Sequence, residues 1–151
     1  MMHTKCTYKS RMRLTKHSDY SLRVLMYLAL KPSQRQTIQH LSEQFSISRN
    51  HLMKVVNRLA NQGYVDSARG RDGGIQLART PASIRIGAVV EDMEQTMEVV
   101  DCDADGGCVL APQCKLKLAL REATRAFIRT LDGYTLADLV ANDKQLLKLI
   151  G

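Results

Sequence analysis

Apolar residues near the start of the chain recur with the spacing of a helix. Leu22, Leu25 and Ala29 fall on one face of a segment that begins near Ser18 and is followed by Pro32. A serine hydroxyl can accept a hydrogen bond from a free N–H group of a first helical turn, and proline ends a helix. The pattern therefore predicts an amphipathic first helix that starts near Ser18.

Two further helices are predicted on either side of a short turn. One runs from a Thr37 cap to Phe45, and the next begins after a Ser48 cap and ends before Gly63, where a left-handed C-terminal cap is expected. Its apolar positions fall at i, i+3, i+4 and i+7: Leu52, Val55, Val56 and Leu59. Two helices joined by the three residues 46–48 are typical of a helix-turn-helix.

The opposite face of the third helix is polar and partly basic. It carries Arg49, Asn50, His51, Lys54, Asn57 and Arg58. Arginine and lysine can donate to guanine, asparagine can pair with adenine, and the first residues of a recognition helix normally reach the bases. A solvated helix face is the alternative. The adjoining segments favour DNA recognition, with Arg49, Asn50, His51, Lys54 and Asn57 as candidate contacts.

A short β-hairpin is predicted after the third helix. Residues 64–68 and 75–78 have the pattern of strands around a glycine-rich turn that contains Arg69 and Arg71. Beside a helix-turn-helix such a hairpin forms a wing, and its arginines can enter a minor groove, where negative potential favours them. A phosphate-cradling loop is the competing interpretation, but such loops lead into a helix amino terminus.

The second half of the chain is predicted to be helical around one irregular loop. A helix is expected at Ile86–Met93, and a capping-box pattern from Thr135 to Asp138 predicts a short last helix. A long amphipathic helix lies between them, with an apolar stripe of Leu116, Leu120, Ala123, Phe127 and Leu131. The stripe packs either within the chain or against a partner, and the late position and length of the helix favour dimerisation.

Charge is distributed unevenly over the 151 residues, whose net charge is +7. Residues 1–80 contain 14 Lys and Arg against 4 Asp and Glu, whereas residues 81–151 contain 8 against 11. A basic amino-terminal half is expected of a DNA-binding domain. The sequence shows neither an apolar run of the roughly 20 residues that span a membrane nor a signal-peptide pattern, so no membrane partner and a cytoplasmic location are expected.

Three of the four cysteines, Cys102, Cys108 and Cys114, lie in an acidic loop with five residues between neighbours. In a reducing compartment clustered cysteines indicate a metal site or a redox-active thiol set. Thiolates suit iron–sulfur clusters and zinc, although zinc knuckles generally have shorter gaps and either centre usually takes a fourth ligand. Cys6 lies in a polar extension over residues 1–11, predicted to be flexible, and is expected to be a spare thiol.

An enzyme is the least favoured class. His17, Ser18 and Asp19 are contiguous, whereas a catalytic triad is assembled from residues that are distant in the sequence. In addition, no serine lies in a nucleophile-elbow pattern. No catalytic residues are therefore predicted.

Four segments together carry a family resemblance: residues 12–30, the wing at 68–78, the three-cysteine loop and residues 131–139. The chain resembles the nitric-oxide-sensing NsrR branch of a family of dimeric winged-helix bacterial repressors that also contains the iron–sulfur regulator IscR. The resemblance extends over nearly everything from Met12 onward. It implies a homodimer that binds double-stranded operator DNA.

The resemblance also implies that Cys102, Cys108 and Cys114 hold an iron–sulfur cluster, [4Fe-4S] or [2Fe-2S], at the dimer interface. In the IscR branch a histidine three residues after the last cysteine is a ligand, but Lys117 stands there and its ammonium offers no lone pair. Asp19 is the alternative, because some NsrR proteins send a carboxylate from this place to the other subunit's cluster. An aspartate in a first helical turn is also commonly just a favourable partner of the helix dipole.

The expected fold is thus mostly α with a small β-hairpin, with a winged helix-turn-helix DNA-binding domain at 12–80 and a cluster-binding loop and dimerisation helices at 81–151. The predicted function is a dimeric transcriptional repressor that binds operator DNA while its iron–sulfur cluster is intact and releases it when nitric oxide attacks the cluster. A thiol-based or zinc-containing winged-helix regulator without an iron–sulfur cluster is the alternative.

Overall fold

The computed structural model describes residues 13–102, 107–141 and 143–150. In these ranges the helices are α1 (Lys16–Leu30), α2 (Ile38–Phe45), α3 (Arg49–Asn61), α4 (Ile86–Met93), α5 (Lys115–Asp132), α6 (Leu136–Leu139) and α7 (Asp143–Ile150). The strands β1 (Val65–Ala68) and β2 (Gly74–Leu77) pair antiparallel. The predicted architecture, mostly helical with one small hairpin, is confirmed. The predicted extension over residues 1–11, with Cys6, lies outside the described residues.

The start of α1 differs from the prediction. Thr15 rather than Ser18 caps the helix, because Ser18 N donates to Thr15 Oγ1 at 3.3 Å. Ser18 lies fully buried in the first turn, where its hydroxyl donates to Glu94 Oε1 at 2.7 Å. Threonine and serine both cap helices, so the sequence alone did not decide between two such residues three positions apart.

The helix-turn-helix forms where it was predicted. Thr37 caps α2 and Ser48 caps α3, each by accepting a backbone hydrogen bond from the residue three positions later. Between the two helices Ser46 adopts a left-handed conformation with φ of 53°, which ends α2 and turns the chain. The left-handed conformation expected at Gly63, after α3, is also present, with φ of 73°.

One hydrophobic core joins the two halves of the chain. The predicted apolar face of α3 is confirmed, since Leu52, Val55, Val56 and Leu59 are at most 3% exposed. The same core contains Ile84, which precedes α4, and residues from α1, α2, the hairpin, α4 and α6: Val24, Leu25, Leu28, Leu41, Ile75, Val89, Met93 and Leu136. Burying each such side chain contributes about 1.5–3 kcal/mol, so residues on both sides of position 80 stabilise one unit.

Helix α5 packs against α4 through a close approach at Gly87. A Cβ atom on this glycine would lie 2.8 Å from Ile128 O, so the two helices need a residue without a side chain here. Asp132 of α5 accepts a hydrogen bond from Ala88 N at 3.1 Å and thereby caps α4, whose own N-cap residue Arg85 makes no side-chain bond.

The predicted apolar stripe of α5 is only partly covered by its own chain. Leu120, Phe127 and Leu131 are half-buried, whereas Leu116 and Ala123 are exposed. At the end of α5 the capping box between Thr135 and Asp138 is formed as predicted. However, α6 is not the last helix, because α7 follows it. None of the described helices is long and apolar enough to cross a membrane.

Candidate nucleic-acid interface and cysteine site

The candidate DNA-contacting residues of α3 share one exposed face. Arg49, Asn50, His51, Lys54 and Asn57 are all exposed, opposite the apolar face that enters the core. Helix α1 contacts this face near its amino end, where the ring of Tyr20 lies 6.3 Å from that of His51. The arrangement leaves donors of two kinds, cationic and amide, free to reach a partner along the first turns of α3.

Arg58 does not belong to this exposed face, so its predicted place there is wrong. Its Nε donates to Asp92 O at 2.8 Å, near the end of α4. The carboxylate of Asp92 in turn accepts from the hydroxyl of buried Tyr64 at 2.5 Å. Burial, followed by the hydrogen bond and charge of Asp92, raises the pKa of Tyr64 well above its usual range, so this hydroxyl remains a donor. Arg58 therefore joins α3 to α4.

The wing presents its two arginines at an exposed tip. Strand pairing ends at Ala68 opposite Gly74, and Arg69 and Arg71 lie in the turn beyond that pair. Arg35 binds both strands of the wing, because its guanidinium donates to Asp66 Oδ2 and to Gly74 O at 2.7 and 3.2 Å. Sequence reasoning missed Arg35, because a single arginine in a polar loop carries no local signal of a long-range contact.

The three loop cysteines are free thiols at the start of α5 and in the segment before it. Cys108 N donates to Cys102 O at 2.9 Å, which brings two of the three backbones together. Cys114 is the N-cap residue of α5, and its Sγ accepts a hydrogen bond from Lys117 N at 3.4 Å. The amino terminus of a helix favours negative charge, so this position suits a sulfur that acts as an anionic ligand.

No three side chains of His, Cys, Asp or Glu lie close enough together to hold a metal ion, as far as the chain is described. The donor chemistry nevertheless fits an iron–sulfur cluster, since three thiols are free and cysteine thiolate is the usual ligand of cluster iron. A cavity of about 300 Å³ beside Cys102 is lined by three cationic side chains of α5, Lys117, Arg121 and Arg125, and by the carboxylates of Glu91 and Glu98. The cations outnumber the carboxylates by one, and this excess of positive charge is favourable for thiolates and cluster sulfide nearby.

Asp19 carries its carboxylate on the first turn of α1, where Arg23 binds both oxygens. The Arg23 Nη2 to Asp19 Oδ2 distance is 2.9 Å, and Nε donates to Oδ1 at 3.0 Å. The aspartate side chain is 43% exposed, so this ion pair is open to solvent and weak. Within one chain, therefore, the described contacts of this carboxylate are with Arg23.

Glu94 connects the segment before the cysteines to the start of α1. Its Oε1 accepts hydrogen bonds from Thr15 N at 2.8 Å, Thr15 Oγ1 at 3.2 Å and Ser18 Oγ at 2.7 Å. A carboxylate is favourable at a helix amino terminus. Asp19, one residue after Ser18, thus lies on a helical turn that is fixed to the cysteine segment of the same chain. Glu94 was also missed, because its partners lie more than seventy residues away.

The contiguous residues His17, Ser18 and Asp19 have separate roles in the structure. The Nε2 atom of His17 is buried without a hydrogen-bond partner in the described ranges, Ser18 binds Glu94, and Asp19 pairs with Arg23. Burial, followed by the nearby charge of Arg58, lowers the pKa of His17, while Glu94 opposes this effect. These three residues therefore do not form a catalytic triad.

Comparison with known proteins places this geometry in a family. The family model Rrf2, described as an iron-dependent transcriptional regulator, matches residues 14–142. The chain belongs to the Rrf2 family. Two similar relatives are the HTH-type transcriptional regulators NsrR of Geobacillus kaustophilus and Bacillus subtilis, which are 47% and 48% identical over 142 residues. Each alignment covers 92% of this chain and 97% of the relative.

Solved structures confirm the winged-helix fold of this Rrf2 chain. CymR, the global cysteine regulator of B. subtilis, superposes with a TM-score of 0.66 at 26% identity, over 87% of this chain and 98% of CymR. T. potens IscR gives a TM-score of 0.70 at 22% identity, over 87% and 88% of the two chains. The predicted resemblance to NsrR and to the family that contains IscR is confirmed, and the protein is a transcriptional regulator of the Rrf2 family.

Proposed function

We propose that this Rrf2 regulator is a homodimeric repressor that binds operator DNA while Cys102, Cys108 and Cys114 hold an iron–sulfur cluster, and that releases the DNA when nitric oxide attacks the cluster. The observation that carries the proposal is the presence of three free thiols in one short segment that ends at the N-cap of α5. Relatives named NsrR, aligned over 92% of the chain, support it. When bound, the cluster supplies iron that reacts with nitric oxide.

The proposed DNA contacts come from α3 and the wing. Arg49, Asn50, His51, Lys54 and Asn57 would meet base edges and phosphates in a major groove. Arg69 and Arg71 at the wing tip would enter the adjacent minor groove. Their exposure supports this role. The basic charge of residues 1–80 would strengthen binding to any DNA.

A second copy of the chain is the proposed partner of α5. Apolar residues before and at the start of this helix are between 64% and 91% exposed: Val109, Leu110, Leu116 and Leu118. An apolar groove of about 780 Å³ runs beside α1, α4 and α5 and is lined by Leu22, Ile86, Val90, Phe127 and Leu131. Exposed apolar residues together with an apolar groove on the same chain suit a two-fold interface in which each copy covers the other.

Asp19 is the proposed fourth cluster ligand, donated by the partner chain. Leu22, which lines the groove, lies one helical turn after Asp19, so a chain docked there would approach this carboxylate. Arg23 would have to release one or both oxygens, and a solvent-exposed ion pair costs little to separate. A carboxylate oxygen is a harder ligand than thiolate and would hold cluster iron less firmly than the cysteines do.

The function is tested with protein isolated without oxygen. A dimer of the proposed kind should be brown, should bind a DNA fragment selected from random-sequence duplexes, and should lose both its absorbance and its DNA on addition of nitric oxide. Colourless protein after reconstitution with iron and sulfide, with DNA binding unchanged by nitric oxide, would contradict the proposal. Metal analysis separates the zinc-containing alternative, because iron and inorganic sulfide would then be absent.

Replacing Arg69 by alanine should weaken operator binding about tenfold in a gel-shift titration at fixed salt, because one charged contact in the minor groove is lost. Arg79→Ala is the matched control, since Arg79 lies away from the wing tip, over the ring of Tyr64, and donates to Gln62 O. Equal affinities for the Arg69 variant and the wild type would remove Arg69 from the proposed DNA contacts.

A further inference from the structure

Arg35, in the loop between α1 and α2, connects both strands of the wing to the helices. Its Nη2 donates to Asp66 Oδ2 at 2.7 Å, and its Nη1 donates to Gly74 O at 3.2 Å and to Asp66 O at 3.4 Å. Asp66 belongs to β1 and Gly74 to β2, so one guanidinium spans the hairpin. The planar fork of arginine suits such a three-acceptor contact, which the ammonium of lysine cannot reproduce.

The backbone next to Arg35 continues the same contact. Gln36 N donates to Ile75 O at 2.9 Å, and Ile75 N donates to Gln36 O at 2.8 Å. The loop lies so close to β2 that a Cβ atom on Gly74, whose φ is +136°, would be 2.8 Å from Gln36 O. The loop therefore pairs with β2 at one residue, through the antiparallel bridge between Gln36 and Ile75. Arg35, next to this bridge, binds β2 at Gly74, which is one residue closer to the wing tip.

The wing needs this support because it is short. Each strand has four residues, and an isolated two-stranded hairpin is at best marginally stable in water. Ile75 fixes the hairpin to the core, but Arg69 and Arg71 lie beyond the last strand pair and are exposed. The direction of the tip thus depends on contacts made by the strands that precede it, and Arg35 contributes a charged contact with Asp66 and a hydrogen bond to Gly74 O.

We propose that Arg35 is a positioning residue for operator recognition: it fixes the angle of the wing against α2 and α3 and so places Arg69 and Arg71 on the DNA. The inference rests on the proposed function, in which the wing tip contacts DNA. Arg35 acts through the wing and makes no DNA contact of its own. Its side chain is 26% exposed and its guanidinium is engaged at both nitrogens of the fork.

The first test is whether Asp66→Ala raises or lowers the affinity for DNA. Removing a carboxylate near DNA normally raises affinity, because repulsion from the phosphates is lost. If Arg35 instead contacted a phosphate, Asp66→Ala would free it and binding would tighten. If Arg35 positions the wing, Asp66→Ala should instead lower the affinity for DNA about threefold to tenfold. Fluorescence anisotropy measures this affinity on a duplex that the wild-type protein has selected from random sequences. Asp72→Ala at the exposed wing tip is the matched control and should leave affinity unchanged or higher.

The second test is a mutant cycle that measures DNA affinity with Arg35 and the two wing-tip arginines replaced separately and together. Arg35→Ala should lower affinity about tenfold, and it should cause little further loss in protein that already carries Arg69→Ala and Arg71→Ala. The conservative change Arg35→Lys should lose nearly as much as alanine, although it keeps the charge. The slope of affinity against salt should be the same for Arg35→Ala and the wild type, because no phosphate contact is removed. Circular dichroism and the melting temperature establish that each variant is folded.

The outcomes separate this inference from the proposed function. If the Arg69 and Arg71 double variant binds as tightly as the wild type, the wing is not a DNA contact, and both the wing assignment and the role of Arg35 are overturned. If that double variant binds weakly but Asp66→Ala tightens binding, or if Arg35→Lys retains full affinity, only the role of Arg35 is overturned. The role of Arg35 is supported if Asp66→Ala, Arg35→Ala and Arg35→Lys all bind DNA more weakly than the wild type. It also requires that Arg35→Ala cause little further loss in the Arg69 and Arg71 double variant.

Discussion

Cys108→Ser should yield colourless protein after anaerobic isolation and should lower affinity for the selected operator by about tenfold to a hundredfold. A serine hydroxyl is neutral at pH 7 and is a much harder ligand than thiolate, so it cannot replace a cysteine on cluster iron. The expected loss of affinity is of the size usually found when one bound group, here the cluster, changes the affinity of a separate site, here the DNA-binding surface. Absorbance, iron and sulfide content, and anisotropy titrations on the same preparation measure the two effects together.

Cys6→Ser is the matched control for this change. Cys6 is the chain's only other cysteine, and it is predicted to be a spare thiol. The control should keep the colour, the iron content and the response to nitric oxide of the wild type. If Cys108→Ser kept its cluster while Cys6→Ser lost it, the proposed ligand set would be wrong. If Cys108→Ser lost zinc rather than iron, the structural-zinc alternative would replace the iron–sulfur proposal.

The double substitution Leu116→Glu and Leu118→Glu should convert the dimer into a monomer and weaken operator binding by at least about a hundredfold. Both leucines are about two-thirds exposed in the single chain, so charges there cost the monomer little. Across the proposed interface the same charges would be buried without partners, which is strongly unfavourable. A protein that loses its second half-site contact loses the gain of roughly 10²–10⁴ that two linked binding events provide.

Sedimentation equilibrium and anisotropy titrations check this expectation. Leu149→Glu is the matched control, because Leu149 is 80% exposed on α7, a helix that is not part of the proposed interface. It should remain dimeric and bind DNA normally, and both proteins should keep the helical content of the wild type. A dimer that persists in the α5 variant would show that a different surface joins the two copies.

Local patterns predicted most of the fold. The apolar face of α3, the caps at Thr37 and Ser48, and the capping box at Thr135 are properties of neighbouring residues, and the structure contains all of them. Helix α7 was missed, although Leu146, Leu147 and Ile150 recur with helical spacing. The left-handed turn at Gly63 was predicted, since glycine is favoured there.

Contacts between distant segments were not predictable in the same way. Arg58 lies beside the buried face of α3, and only the position of Asp92 decides that its guanidinium turns towards α4. Ser18 has a capping residue's chemistry but is occupied by Glu94, and Arg35 finds its acceptors on a hairpin that follows two helices later. The spacing of the cysteines indicated a metal or redox site, and the resemblance implied the candidate cluster ligands, but the distances between their side chains depend on how the whole chain folds.

The continuous core has a consequence for how the protein unfolds. Since Ile84, Val89 and Leu136 pack in the same cluster as Leu25 and Leu59, neither half can lose its structure while the other keeps a complete interior. Small domains with one core usually unfold in a single cooperative transition. Heat or denaturant should therefore melt the DNA-reading helices and the helix before the cysteines together, and any change that loosens one end of the molecule lowers the stability of the other.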